Sequence, residues 1–200
     1  MISNKGGEKM KIIDIFRHGE DENTGDLTRE GIQEIRQLGK RIKDSGISYS
    51  KFISSPYFRC VVTLKIVLEE LGLGEDLIEM NENLCTREPE QWTRVTRLDK
   101  FRQVLGETGS KVIAVSTVDP GLIIKDANQF ITGLQHIVRN MKEGTCTLGI
   151  SHNTIILAAA SIIQEGRLSI KTPLQDLNIC EGVRFKVKRG NMSVEKICRT

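Results

Sequence analysis

Two apolar runs in this chain end on groups that prefer water. "KIIDIFRHGE" places Arg17 and His18 directly after the run 11–16, and "TCTLGISHN" places His152 after another. Neither placement helps packing, so the ends of both runs open onto something polar. In "SSPYFRCVVT", Ser55 reads as an N-cap and Pro56 as the first position of a helix, which puts Arg59 in its first turn. Unpaired backbone N–H groups and the positive end of the helix dipole favour an anion there. A guanidinium adds bidentate recognition of phosphate or carboxylate. Taken singly, each histidine also fits a satisfied strand-end residue, and Arg59 a solvated side chain. Two arginines and two histidines together read as an anion pocket. The third histidine, His136, falls off the apolar face of its helix and reads as a surface residue.

The elements that must position these groups alternate along the chain. "KIIDIF" reads as a buried strand. A helix follows, with Ile32, Ile35, Leu38 and Ile42 at helical spacing, Thr28 as its N-cap and Gly46 as its stop. "YSKFISS" reads as a second strand, and the helix opening at Pro56 is apolar on most sides, hence largely buried. "DLIEMNENL" reads as a third strand. Residues 85–110 are polar and arginine-rich, with a helix near "PEQWTRVTRLDKFRQVLG"; "KVIAV" is an apolar run without a clear assignment. Asp119-Pro120 marks a turn before a long helix at 121–142, whose inner face carries Ala127, Phe130, Ile131, Leu134, Ile137, Val138 and Met141. A strand "TCTLGIS", a helix "NTIILAAASIIQEG" and a hairpin around Gly190-Asn191 complete the chain.

Strands in alternation with helices predict an α/β class with a mostly parallel central sheet and a C-terminal β-hairpin. The expected organisation is a flexible polar leader at 1–10 and a single domain at 11–200. With 38% hydrophobic and 28% charged residues, the composition suits neither a disordered nor a membrane protein. The longest apolar stretch, around "NTIILAAASII", is shorter than the roughly 20 residues of a membrane span. A net charge of +3 without a concentrated basic patch argues against nucleic acid. Five cysteines at wide spacing, without a CxxC, read as reduced thiols of a cytoplasmic protein rather than disulfides or a zinc site.

"FRHGE", "LTREG", "SSPYFRCVVT" and "GISHN", in this order, resemble the motifs of the histidine phosphatase superfamily, the phosphoglycerate-mutase-like fold. The resemblance covers residues 12–165. It implies a three-layer α/β/α sandwich and phosphoryl transfer through a phosphohistidine, with no cofactor and no metal. Carried over by motif, His18 is the nucleophile, and Arg17, Arg59 and His152 form the phosphate pocket. A neutral imidazole can attack phosphorus near neutral pH, and two guanidinium groups meet the charge on the phosphoryl oxygens.

The resemblance also implies a glutamate proton donor after the third strand. Glu82 in "MNE" matches best, with Glu88 as the alternative and a solvated loop acid as the plainer reading. The chain departs from the family elsewhere. "GEDENTGDLT" is shorter than the mutase segment, although Asn23 and Thr24 are placed to border the phosphate. "NLCTREPEQW" matches neither the mutases nor the common phosphatases, which favours a phosphatase over a mutase. Asn153 either contacts substrate or caps the next helix, with capping favoured. The segment 85–125 reads as a lid, in which Arg87, Arg94 and Arg97 with Trp92 select an anionic leaving group. The expected activity is metal-independent hydrolysis of a small phosphomonoester or a phosphoprotein. A phosphoglycerate-type mutase and a weakly catalytic phospho-ligand binding module are the alternatives.

Overall fold

The β-branched run at Lys11–Arg17 forms strand β1 near the centre of a six-stranded sheet in the computed structural model. Residues 9–22, 25–168 and 176–197 are described. Most of the predicted leader, Asn23, Thr24 and Cys198 lie outside them. The remaining strands are β2 (Tyr49–Ser54), β3 (Ile78–Met80), β4 (Cys146–Ser151), β5 (Gly182–Lys188) and β6 (Asn191–Ile197). The helices are α1 (Arg29–Asp44), α2 (Phe58–Leu71), α3 (Pro89–Thr96), α4 (Asp99–Thr108), α5 (Lys111–Val118), α6 (Pro120–Asn140) and α7 (Asn153–Glu165). Strand order is β3-β2-β4-β1-β5-β6. The first four strands in that order run parallel, and β5 and β6 form the antiparallel hairpin.

Side chains alternate across the sheet, so each face builds its own core. Ile13, Ile15 and Ile53 pack with Phe130, Leu134 and Ile156 of α6 and α7. Phe16, Phe52, Leu148 and Ile150 pack with Ile35, Leu38, Leu64 and Val67 of α1 and α2. The result is an α/β fold with helices on both faces. Asp14 is fully buried on the α1/α2 face. Its charge is met by Arg184, which donates Nε and Nη2 at 2.7 and 2.8 Å, and by the Tyr49 hydroxyl at 2.6 Å.

The loop after β1 is clamped onto α1 by two glycines. A Cβ on Gly19 would lie 2.4 Å from Ile35 Cδ1, and one on Gly31 would lie 2.5 Å from the Glu20 carbonyl oxygen. Thr28 caps α1 by accepting from Gly31 N at 2.9 Å. These contacts give the glycines and threonine of "RHG" and "LTREG" a packing reason.

Several boundaries differ from expectation. The helix expected from Pro56 begins at Phe58, with Tyr57 as N-cap and no side-chain cap. The helix expected near "PEQW…VLG" is two, α3 and α4. "KVIAV" is helical, in α5, because its Ala114 and Val115 are fully buried and packing outweighs the strand preference of its β-branched residues. Asp119 caps α6, accepting from Leu122 N at 3.0 Å. Cys60, Cys85 and Cys146 are free thiols. Among the described residues no helix is long and apolar enough to cross a membrane.

Candidate active site

Because β1, β2 and β4 are parallel, their C-terminal ends share one edge of the sheet. Ligands of open α/β sheets bind at such an edge. The structure brings Arg17, His18, Arg59 and His152 together there, around a cavity of about 500 Å³. His18 follows β1 and continues its ladder, with its N–H donating to the Ser151 carbonyl at 3.1 Å. His152 follows β4. Helices α2 and α7 both start at this cavity, and neither has a side-chain cap or an acidic residue in its first turn. Their unpaired N–H groups add positive potential to that of the arginines.

The hydrogen bonds fix the tautomers. His18 Nδ1 lies 2.7 Å from the Gly19 carbonyl oxygen, which can only accept, so Nδ1 carries the proton. The Nε2 lone pair of His18 is therefore available, and Arg59 Nε donates to it at 3.2 Å. His152 Nε2 lies 2.9 Å from Ser55 Oγ, and Arg59 Nη2 lies 3.2 Å from His152 Nδ1. Arg59 thus spans both imidazoles, whose centroids are 5.3 Å apart. Its guanidinium carbon also lies 5.0 Å from the centre of the Tyr57 ring. Ser55 holds His152 instead of capping α2, which explains the later start of that helix. The Thr63 hydroxyl accepts from Gly19 N at 3.1 Å and donates to the Arg59 carbonyl at 2.7 Å, joining the two motifs.

Arg17 donates Nη1 to the Leu177 carbonyl at 2.6 Å. Its Nε is buried and has no hydrogen-bond partner among the described residues. A buried unsatisfied donor is costly. Burial lowers the Arg17 pKa, with Asp176 and Asp21 opposing that shift.

Burial also lowers the pKa of His18, to about 4; the Gly19 hydrogen bond acts the other way, and Arg59 reinforces the shift. Burial, then His18 and Arg59, push His152 well below the ordinary histidine value. The His18 ring of the free protein should therefore titrate near pH 4 in imidazole ¹⁵N spectra, leaving Nε2 unprotonated at pH 5–7. A midpoint near the ordinary value of about 6.5 would contradict this. Between those two values the unfolded chain binds more protons than the folded one. The His18 contribution to stability is therefore present above about 6.5 and lost as pH falls toward 4.

Not every expected residue lies on this cavity. Glu82 is exposed and lines a separate pocket beside Lys51 and His136. After β3 the chain enters a tight helical turn at Glu82–Leu84, capped by Asn81 Oδ1 accepting from Asn83 N at 2.9 Å. That turn buries Leu84 and leaves Glu82 outside. Glu88 pairs with Lys125 and lines another pocket with Arg87 and Arg94. Arg87 reaches Asn83 Oδ1 at 3.4 Å and does not line the cavity. The anion-selecting arginines expected in 85–125 therefore face elsewhere. Asn153 lines the cavity but caps nothing; it is the first residue of α7, and its Oδ1 accepts from Leu177 N at 2.9 Å. His136 is exposed, as expected.

Asp21 was missed by the sequence reading. It is the carboxylate among the described lining residues, with Oδ1 3.7 Å from His18 Nδ1 and Oδ2 3.8 Å from Arg59 Nε. Its position three residues after His18 was the available signal, obscured by the run of acids in "GEDE". Cys60 Sγ lies 3.7 Å from His152 Nε2, and burial pushes its thiol up to about 12, so it packs as a protonated thiol.

The family model described as "Histidine phosphatase superfamily (branch 1)" matches residues 13–197. A curated relative, the 2,3-bisphosphoglycerate-dependent phosphoglycerate mutase of Nitrobacter hamburgensis, is 26% identical over 171 residues, which is 78% of this chain and 82% of the relative. Bacillus stearothermophilus YhfR has the same fold, with a TM-score of 0.71 at 18% identity, covering 93% of this chain and 96% of that one. So does a phosphoglycerate mutase from Bacillus anthracis, with a TM-score of 0.70 at 15% identity, covering 95% of this chain and 93% of that one.

Proposed function

The chain belongs to the histidine phosphatase superfamily, and we propose that it hydrolyses a phosphomonoester through a covalent phosphohistidine on His18 without a metal ion. One observation carries the reading: Arg17, His18, Arg59 and His152 converge on one cavity, with the His18 Nε2 lone pair turned to Arg59.

In this mechanism the phosphoryl group binds between Arg17, Arg59, His152 and the α2 and α7 N-termini. Arg59 Nε transfers its hydrogen bond from His18 Nε2 to a phosphoryl oxygen, which frees the lone pair. Nε2 then attacks phosphorus, the P–O bond to the leaving group breaks, and the oxygen takes a proton. Fixed positive charge meets the charge spread over the equatorial oxygens. Water attacks the phosphohistidine in the second step and releases phosphate. Asp21 is the lining carboxyl group available to move both protons.

The direct test is hydrolysis of a generic aryl phosphate in excess EDTA. Turnover should persist at its full rate. Activity lost to chelation and restored by a divalent metal would overturn the metal-independent mechanism.

A mutase is the second reading, favoured by the similarity to the Nitrobacter hamburgensis enzyme and by Lys111 on the cavity lining, where it could meet a second anionic group. It is distinguished by interconversion of phosphoglycerates with little release of phosphate.

A further inference from the structure

Beyond the phosphate-binding groups, half of the residues lining the cavity are apolar or aromatic, with Thr86 and Thr96 among the polar ones. Tyr57, Pro89, Trp92, Phe101, Val115 and Ile155 line it. Phe101 is 5% exposed and Val115 fully buried, so they back the wall as packed core and offer a ligand little surface of their own. The arginines of the 85–97 segment do not line it.

Trp92 is held in place by a costly device. Its Nε1 donates to Asp126 Oδ2 at 2.6 Å. Asp126 is only 1% exposed, and its other oxygen, Oδ1, is buried with no partner among the described residues. A buried carboxylate with an unsatisfied oxygen is destabilising. What it achieves is a fixed indole plane on the cavity wall. A rigid aromatic wall gives contact area at little entropic cost.

Resting on the phosphatase reading, we propose that the site selects phosphomonoesters whose leaving group is flat, uncharged and apolar, with Trp92 as the specificity-determining wall and Asp126 as its positioning residue. Besides Asp21, the charged exception is Lys111. It is exposed and opens α5 at the rim, and it would favour a carboxylate-bearing substrate instead.

The experiment compares 2-naphthylmethyl phosphate, glycerol 3-phosphate and 3-phosphoglycerate, whose leaving alcohols are of similar basicity, with an activated aryl phosphate as the control. The expected kcat/KM for the naphthylmethyl ester exceeds that for glycerol 3-phosphate by roughly 30-fold or more. In Trp92→Ala that ratio should fall at least about tenfold, whereas in Asp126→Asn, which keeps an acceptor for the indole N–H, it should stay within about threefold of wild type. A ratio measured on one preparation does not depend on the fraction folded, and turnover of the aryl phosphate control guards against a general loss of structure. Equal rates on all esters, a preference for 3-phosphoglycerate, or a ratio untouched in Trp92→Ala overturns the specificity while leaving the phosphatase reading intact. No turnover even of the aryl phosphate overturns both.

Discussion

His18→Ala should lower turnover of an aryl phosphate by at least about four orders of magnitude. The Gly19 carbonyl holds the His18 proton on Nδ1, so Nε2 is the free nucleophile. The other imidazole lone pair, on His152 Nδ1, faces Arg59 Nη2, and its ring is tied back to Ser55. An aryl phosphate has a good leaving group, so its hydrolysis isolates the nucleophile from the proton donor. Brief labelling with ³²P-phosphoryl substrate should give wild-type protein an acid-labile, base-stable phosphoryl group, absent from His18→Ala. Substantial turnover or labelling in His18→Ala would move the nucleophile elsewhere and overturn the mechanism.

Asp21→Asn should lower kcat/KM for an alkyl phosphate about 10²-fold, and for an aryl phosphate far less. An alkoxide leaving group needs a proton in the transition state, whereas a phenolate largely does not. Glu82→Gln should leave both substrates nearly unchanged, because Glu82 faces a different pocket. The result also separates two roles for Asp21. Its carboxylate lies against Arg59 and His18, groups that phosphate needs. If it only competes with phosphate for them, Asp21→Asn will lower KM and leave kcat unchanged or raised for both substrates. A large loss in Glu82→Gln would instead restore the glutamate as donor.

Much of the phosphate pocket was legible because local signals and chemistry coincide there. Strand-end Arg17, His18 and His152, and Arg59 in a first helical turn, need only the direction of three parallel strands to converge. The C-terminal alternation around Val183, Phe185 and Val187 likewise foretold the hairpin. What was not legible depends on contacts between distant segments. Ser55 looked like a cap, and only the fold shows it spent on His152, 97 positions away. Glu82 fitted a motif, but a three-residue turn capped by Asn81 turns it out of the cavity. "KVIAV" has no clear assignment in the sequence, and only the burial of Ala114 and Val115 accounts for helix α5. Trp92 owes its place to Asp126, 34 positions away on α6.

The strand order carries a consequence for how the molecule comes into being. β4 lies between β1 and β2, although about 90 residues separate it from β2 in the chain. β1 and β2 therefore never pair; β2 has β3 close behind it, but β1 waits for partners made much later. Closing so long a loop is entropically demanding, and pairings of this kind slow folding. His18 and Ser55 both hang their backbone N–H groups on carbonyls of β4, from Ser151 and Ile150. A nascent chain that has made three of its four parallel strands thus owns every arginine of the site and none of its geometry. Chemistry is withheld until the last central strand is seated.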